Sequence, residues 1–505
     1  MSNTNKDTKR IAKNTLLLYF RMFIMMFISF YTSRVVLNVL GVEDFGLYNI
    51  IGGIVVLFSI LNGALSSSTQ RFLNYEIGKD NKAGVTSVFK NSLSLHLILI
   101  CVILILSESI GLWYVNNLLD VPIGRLRAAN YIYQFTIATF VLNVLRVPFN
   151  ASIIAYEKMN FYAYISIAEA ILKLLIVYLL LMSVYDKLII YGFLMMMVTF
   201  IINMAYIIYC SYSFNDIKIG LSWNKEKIKS ITSFSGWNLF GSVAVVSSQH
   251  GINLILNYFC GVALNAAAGI ANQVTSAMYG FISNFQVAFN PQIVKLYAQN
   301  KKEDFFRLIF RASKFSFILF WLIGLPVLFT TPIIFDIWLN QIPEHSVSFT
   351  RIIIIYLLID ALNGPLWTSV NATGKIKKYQ ILMSFILILN LPVGYIMLYL
   401  GYPPEFIWIS RVFFNIVAMI ARLIYLKKIL IFPLQQYTKT VLFPLSIVVI
   451  GSLFVSILIN DNSNSISNFI LITCCSSITI TILSFYLVLT KHEREQVVSL
   501  IKSKF

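Results

Sequence analysis

The stretch YFRMFIMMFISFYTSR (19–34) is a hydrocarbon-like run with Arg21 near one end and Arg34 closing it. A guanidinium keeps its proton at any biological pH, and placing one in hydrocarbon costs a few kcal/mol or more. Other ionisable residues stand in equally apolar surroundings. Glu169 and Lys173 are four apart, in the Glu-first order that favours pairing on one helix face. Asp360 lies beside Asn363 and Pro365, and Arg411 sits seven residues into another apolar run. Intramembrane charges of this kind face a bundle interior or a wet path and mark binding, ion exchange or a structural ion pair.

Two readings are open for Arg21: a cationic cavity wall, or a side chain snorkelling to the headgroups. Arg34 follows 13 residues later, about 20 Å along a straight helix and roughly 220° around it, so the two cannot form one site. Arg34 reads as an interfacial anchor or a partner for Glu43 or Asp44. Neutral polar residues cluster in NGALSSSTQR (62–71), GSVAVVSSQHGIN (241–253) and ANQVTSAMYGFISNFQ (271–286). Among them Asn62, Gln70, Gln249, Asn272 and Gln273 can line a wet lumen as hydrogen-bonding groups, or pair helices at about 0.6 kcal/mol each. His250 is expected to be a satisfied core histidine.

The elements that must carry these residues are membrane helices. The 505-residue chain is 58% hydrophobic and 12% charged, where soluble domains average roughly 25% charged. Fourteen runs reach the roughly 20 residues a span requires: 14–38, 45–68, 91–115, 129–152, 161–183, 188–210, 233–256, 264–288, 309–330, 351–371, 380–400, 405–426, 441–459 and 468–489. With the N-terminus inside, 31 of the 39 Lys and Arg fall on the cytoplasmic side and five outside, leaving Arg21, Lys173 and Arg411 within spans. The positive-inside rule then places both termini in the cytoplasm.

The net charge of +18 is spread in short clusters between apolar runs, which fits an anionic membrane surface and argues against nucleic acid. The cytoplasmic segment PQIVKLYAQNKKEDFFRL (290–307) and the tail KHEREQVVSLIKSKF (491–505) are expected to lie along that surface. Five cysteines without CxxC spacing suggest neither a disulfide framework nor a metal site. The GxxxxGK[ST] pattern does not occur, and no cofactor is expected.

The chain also repeats itself. VLNVLGVEDFGLYNI (36–50) resembles LILNYFCGVALNAAAGI (254–270) at an offset of about 220 residues. LRVPFNASIIAYEKMNFY (145–162) aligns with LNGPLWTSVNATGKIKKY (362–379) at an offset of 217, matching Pro148 with Pro365, Lys158 with Lys375 and Tyr162 with Tyr379. STQRFLNYEIGKDNK (68–82) matches NPQIVKLYAQNKKED (290–304) loosely. The expected fold is all-α and polytopic: two six-helix bundles, 1–215 and 216–435, related by a pseudo-two-fold along the membrane normal, with two helices appended in 436–505. Such repeats occur in transporters that handle substrate at the repeat interface.

The GVEDFGLYN turn (41–49) and SSSTQRF (66–72), within the first two apolar helices, resemble the start of the Wzx-type O-antigen and capsule repeat-unit flippases. These belong to the multidrug/oligosaccharidyl-lipid/polysaccharide (MOP) exporter superfamily. The resemblance implies two bundles around a cavity that opens alternately to each side of a bacterial inner membrane. It implies a cargo of undecaprenyl-diphosphate-linked glycan, with polysaccharide polymerase and chain-length machinery as partners alongside membrane lipids. For such a cargo the head must cross about 30 Å of hydrocarbon. Arginine suits the diphosphate through bidentate, charge-assisted hydrogen bonds.

Rival readings are a cation-coupled exporter or lipid II flippase of the same superfamily, and a membrane polymerase or ligase acting on the same carrier. The enzyme reading needs an external site. The longest external loop, about twenty residues near 331–350, offers only Asp336, Glu344 and His345 for acid–base work.

Overall fold

In the computed structural model, residues 2–56, 59–117, 119, 121, 124–339, 342–460, 465–491 and 493–495 are described. Within helices, the side chains of 2–13, 30, 33, 34, 37, 42, 53–56, 59, 60, 262, 263 and 265 lie outside that description. Among the described residues the chain is helical throughout, with no strand. In order the helices are α1 (Ser2–Val56), α2 (Ser59–Gly78), α3 (Lys82–Asn117), α4 (Leu126–Ala155), α5 (Met159–Leu181), α6 (Lys187–Ser213) and α7 (Lys225–Ala298). They continue with α8 (Lys302–Trp338), α9 (Ser346–Thr373), α10 (Lys377–Tyr399), α11 (Glu405–Leu430), α12 (Leu434–Ile459) and α13 (Ile466–Val488).

Eleven of the described helical stretches are long and apolar enough to cross a membrane, so the protein is a multi-pass membrane protein. Thirteen of the fourteen expected spans lie in these helices to within two residues at their ends, and the other, 45–68, runs from α1 into α2 across residues outside the description. Three of the fourteen, 14–38, 45–68 and 264–288, are not among the eleven: each is rich in polar residues or includes residues outside the description.

The helices start where side chains can satisfy the first backbone amides. Asn81 accepts from Gly84 N–H, Asp186 from Leu188 and Ile189, Asn224 from Lys227, and Ser465 from Asn468.

Two compact units result. One contains 1–242 and 287–300; the other contains 243–286 and 301–505. In the first, α4 packs against α6, and α1 against α5, around Leu73, Phe89, Phe149, Ile202 and Tyr206. In the second, α9 packs between α8 and α11, with Phe320, Phe349, Leu357 and Trp408 fully buried.

The repeat is visible in the backbone. Helix α1 bends at Gly41 (φ 79°, ψ 170°) and α7 bends 220 residues later at Gly261 (φ 77°, ψ −175°). That region of φ/ψ space is open essentially to glycine alone. Asp80 (φ 54°) and Asn300 (φ 57°) end α2 and α7 in the left-handed conformation. Their amides donate to Ile77 and Tyr297 at 3.0 and 3.1 Å. This fixes the loosely matched block at an offset of 220 rather than the 222 read from residue types. Glu157 (φ 58°) and Gly374 (φ 76°) likewise follow α4 and α9, 217 apart.

Several expectations change. Residues 290–307 form no separate surface helix: 290–298 complete α7, and α8 begins at Lys302. The segment is amphipathic because helices extend beyond the apolar span, not because it lies flat. His250 is exposed on α7 rather than a core residue. The expected twenty-residue outer loop shrinks to 339–345, since α8 continues to Trp338. In the tail, Glu493 is buried against Arg311, and 496–505 lie outside the described residues. The side chain of Arg34 also lies outside them. Asp44 pairs with Arg125, whose Nε donates to Asp44 Oδ1 at 2.8 Å while the same guanidinium pairs with Asp186.

Candidate functional site

Each unit holds a cluster of charges ringed by tyrosines. In the first, Glu169 of α5 accepts from Lys173 Nζ at 2.7 Å, the i,i+4 pair expected from their spacing. Its second oxygen accepts from Arg146 Nη1 of α4 at 3.2 Å. Arg146 also donates to Asn143 Oδ1 at 2.9 Å and lies 5.4 Å from the Tyr206 ring centroid. Arg21 of α1 stands 4.4 Å over the ring of Tyr162, and Tyr206 lies within the fields of Arg146, Glu169 and Arg21 together. Its Nε and Nη1 are buried without a hydrogen-bond partner. Arg21 therefore packs its guanidinium on an aromatic ring of its own unit. With Arg146, Lys173 and Arg21 against Glu169, the cluster carries an excess of two positive charges.

In the second unit, Arg411 of α11 is 7% exposed, with its guanidinium 4.3 Å over the Tyr356 ring and 5.7 Å from that of Trp408. About three turns further along α11, Arg422 is 8% exposed and donates Nε to the Tyr379 hydroxyl at 2.6 Å. Nη1 of each arginine is buried without a partner. Asp360 of α9 is half-buried within the fields of Arg422 and Arg411. Among the described residues it forms no ion pair within 4.0 Å. Beside it, Asn363 donates Nδ2 to Asn415 Oδ1 at 3.1 Å, and Asn415 donates to the Tyr356 carbonyl at 3.2 Å. Two cations and one carboxylate leave this cluster cationic as well.

Desolvated arginine on a tyrosine face gains about 2 kcal/mol or more, comparable with the insertion cost of the charge at a helix centre. That is how these helices keep arginines without spending a carboxylate on each. The unpartnered Nη groups remain available to accept an anion.

The expected site residues thus divide by unit. Arg21, Glu169 and Lys173 gather in the first and Asp360 and Arg411 in the second. Asn62 and Gln70 lie half-buried on α2, Gln249 and Asn272 half-buried on α7, and Gln273 is exposed. Asn62 Oδ1 and Asn272 Oδ1 are buried with no hydrogen-bond partner. Arg146, Arg422 and the four tyrosines escaped the reading of the sequence. Arg146 and Arg422 stand near the C-terminal ends of α4 and α11, where the charge count places them with the cytoplasmic basic residues. A signal was present: at the 217-residue offset Asn143 matches Asp360 and Arg146 matches Asn363, each pair three residues apart and just ahead of a helix proline.

Residues 238–396 match the MatE family. An outward-facing multidrug-resistance MATE transporter of the MOP superfamily has TM-score 0.73 at 15% identity, over 86% of this chain and 97% of that one. The fold is that of the MATE transporters. A MATE structure in the bent conformation gives the same TM-score, identity and coverage. A MOP-superfamily transporter from Pyrococcus furiosus, described by the reverse polarity of its binding pocket, gives TM-score 0.70 at 15% identity over 85% and 97% of the two chains. At such identity the likeness establishes the MATE fold of two helical bundles and no more. No curated protein matches the chain in sequence.

Proposed function

We propose that the protein is a flippase that carries undecaprenyl-diphosphate-linked oligosaccharide repeat units from the cytoplasmic to the periplasmic leaflet by alternating access. The observation that carries this reading is the pair of cationic clusters. Arg21, Arg411 and Arg422 form no salt bridge within 4.0 Å among the described residues, and each keeps a buried guanidinium nitrogen unsatisfied. An exporter of organic cations needs the opposite polarity. A diphosphate offers the bidentate acceptors that arginine forks match, and the Asn and Gln side chains of α2 and α7 suit sugar hydroxyls. The Wzx-like turn and SSSTQRF segment favour the same cargo. In this reading 1–215 and 216–435 are the two repeat copies, 436–505 is appended, and both termini lie in the cytoplasm of a bacterial inner membrane.

One observation favours a cation-coupled mechanism within the same fold: Asp360, a carboxylate held near two arginines without an ion pair, is suited to exchanging a proton or metal cation. Deleting the gene decides the cargo. Lipid-linked repeat units should then accumulate on the cytoplasmic leaflet. If they reach the periplasm and stay unpolymerised, the polymerase or ligase reading replaces this one.

A further inference from the structure

The second unit contains a cavity of about 710 Å³ between α8, the start of α12 and the segment after α13, and its lining shares no residue with the tyrosine–arginine cluster. One face of α8 lines it with residues at 3- and 4-residue intervals: Glu303, Phe306, Arg307, Phe310, Arg311 and Lys314. That spacing is one helical stripe, and it alternates cations with aromatic rings. Lys314 is 3% exposed and donates to the Val488 carbonyl at 3.0 Å. Glu493, also buried, meets Arg311 at 3.0 Å and Lys314 at 3.9 Å, and accepts from the Thr490 amide at 2.9 Å. The inner end of the cavity is therefore built and charge-compensated. Its mouth is not. Arg307 is largely exposed, with one long contact to Asp304 at 3.4 Å, and Gln436 of α12 is exposed nearby.

We infer that this cavity binds the headgroup of an anionic glycerophospholipid, its phosphodiester on Arg307 and its glycerol and acyl carbons on Phe306 and Phe310. Three arguments converge on that class. The cavity joins a cation to aromatic surface, so the ligand is amphipathic rather than a free ion. Glu303 on the rim repels polyanions and selects a single negative charge. In the orientation proposed above, the stripe belongs to the side that carries most of the Lys and Arg and faces an anionic leaflet. The inference does not depend on the cargo.

Native mass spectrometry of the full chain tests it, with micelles containing equal phosphatidylglycerol and phosphatidylcholine. The protein should retain phosphatidylglycerol preferentially, and Arg307→Gln should lower that preference about fivefold, the worth of one basic residue near a lipid surface. Arg351→Gln, whose Nε donates to the Leu328 carbonyl toward the far end of α8, should leave it unchanged. Gln436→Trp, which fills the cavity from its exposed wall, should lower retention even where Arg307→Gln fails to insert. Equal retention of the two lipids overturns the inference. So does a preference that survives both cavity variants, and so does displacement of phosphatidylglycerol by millimolar inorganic phosphate, which would make the site one for a soluble anion.

Discussion

Tyr162 and Tyr379, 217 residues apart, each hold an arginine: Arg21 stacks 4.4 Å over the first ring, and Arg422 donates to the hydroxyl of the second at 2.6 Å. The tyrosines are repeat equivalents at the starts of α5 and α10, while the arginines come from helices that are not equivalent, α1 and α11. A duplicated aromatic socket has been filled twice, by different helices and through different parts of the ring.

The two sockets should respond differently to the same substitution. Tyr379→Phe removes a hydrogen bond to a buried charge and should cost about 1.5–3 kcal/mol. Tyr162→Phe keeps the ring face and should be nearly neutral, whereas Tyr162→Leu should lose about 0.5–2 kcal/mol of cation–π attraction. Thermal unfolding of the three variants in one detergent checks the order. A Tyr162→Phe variant as damaged as Tyr379→Phe would show that the hydroxyl, not the ring, matters at Arg21.

Glu169 should be the most sensitive member of the first cluster. It serves both Arg146 and Lys173, so Glu169→Gln strands two cations, while Lys173→Gln leaves the Arg146 pair intact. Breaking a buried pair costs about 3–5 kcal/mol; these side chains are 18–35% exposed, and solvent screening reduces the figure to about 1–3 kcal/mol for Glu169→Gln. Lys173→Gln should cost under about 1 kcal/mol. Arg146→Gln combined with Lys173→Gln should restore much of what Glu169→Gln loses. Folded yield and apparent Tm of the single, double and triple variants measure this, and strict additivity would contradict the shared-carboxylate arrangement.

How far the sequence foretold this molecule depends on the kind of signal. Helix positions were legible because twenty apolar residues have few other fates, and the repeat was legible in Pro148 and Pro365 and in the Gly-Val turns. The Glu169–Lys173 pair followed from four-residue spacing on one helix. Contacts between helices left no such trace. Arg146 pairs across 23 residues and Arg422 across 43, distances that periodicity cannot read. Both count as cytoplasmic charges by position because they stand near the ends of their helices, at Ala155 and Leu430. The amphipathic stretch 290–307 misleads for a related reason: the ends of two long helices carry the same polar pattern as one short surface helix.

Gly41 and Gly261 give the repeat a direct test. Each sits at φ near +78° with extended ψ, where a Cβ is strained by about 1–3 kcal/mol although nothing lies within 4 Å to clash with it. Gly41→Ala and Gly261→Ala should therefore destabilise by similar amounts, through the backbone alone. Val, β-branched and stiffer, should cost at least as much as Ala at both sites. An alanine penalty at one glycine and none at the other, read from folded yield in membranes, would show that the two bends do not share a torsional cause.

Arg21 carries the functional prediction. Arg21→Gln removes a charge that stacks on a tyrosine ring and, among the described residues, forms no ion pair within 4.0 Å, so insertion and folding should survive and transport should not. If the guanidinium meets the diphosphate as a bidentate donor, its loss should slow translocation at least about tenfold, equivalent to about 1.4 kcal/mol. Arg21→Lys keeps the charge without the planar fork and should fall between the two. Leaflet-resolved labelling of lipid-linked repeat units, in cells expressing each variant at matched membrane levels, separates the cases. Full transport by Arg21→Gln would leave Arg21 a structural residue of the Tyr162 socket and move the cargo-binding role to Arg411 and Arg422. Arg411→Gln on the Arg21→Gln background would then be the variant that fails.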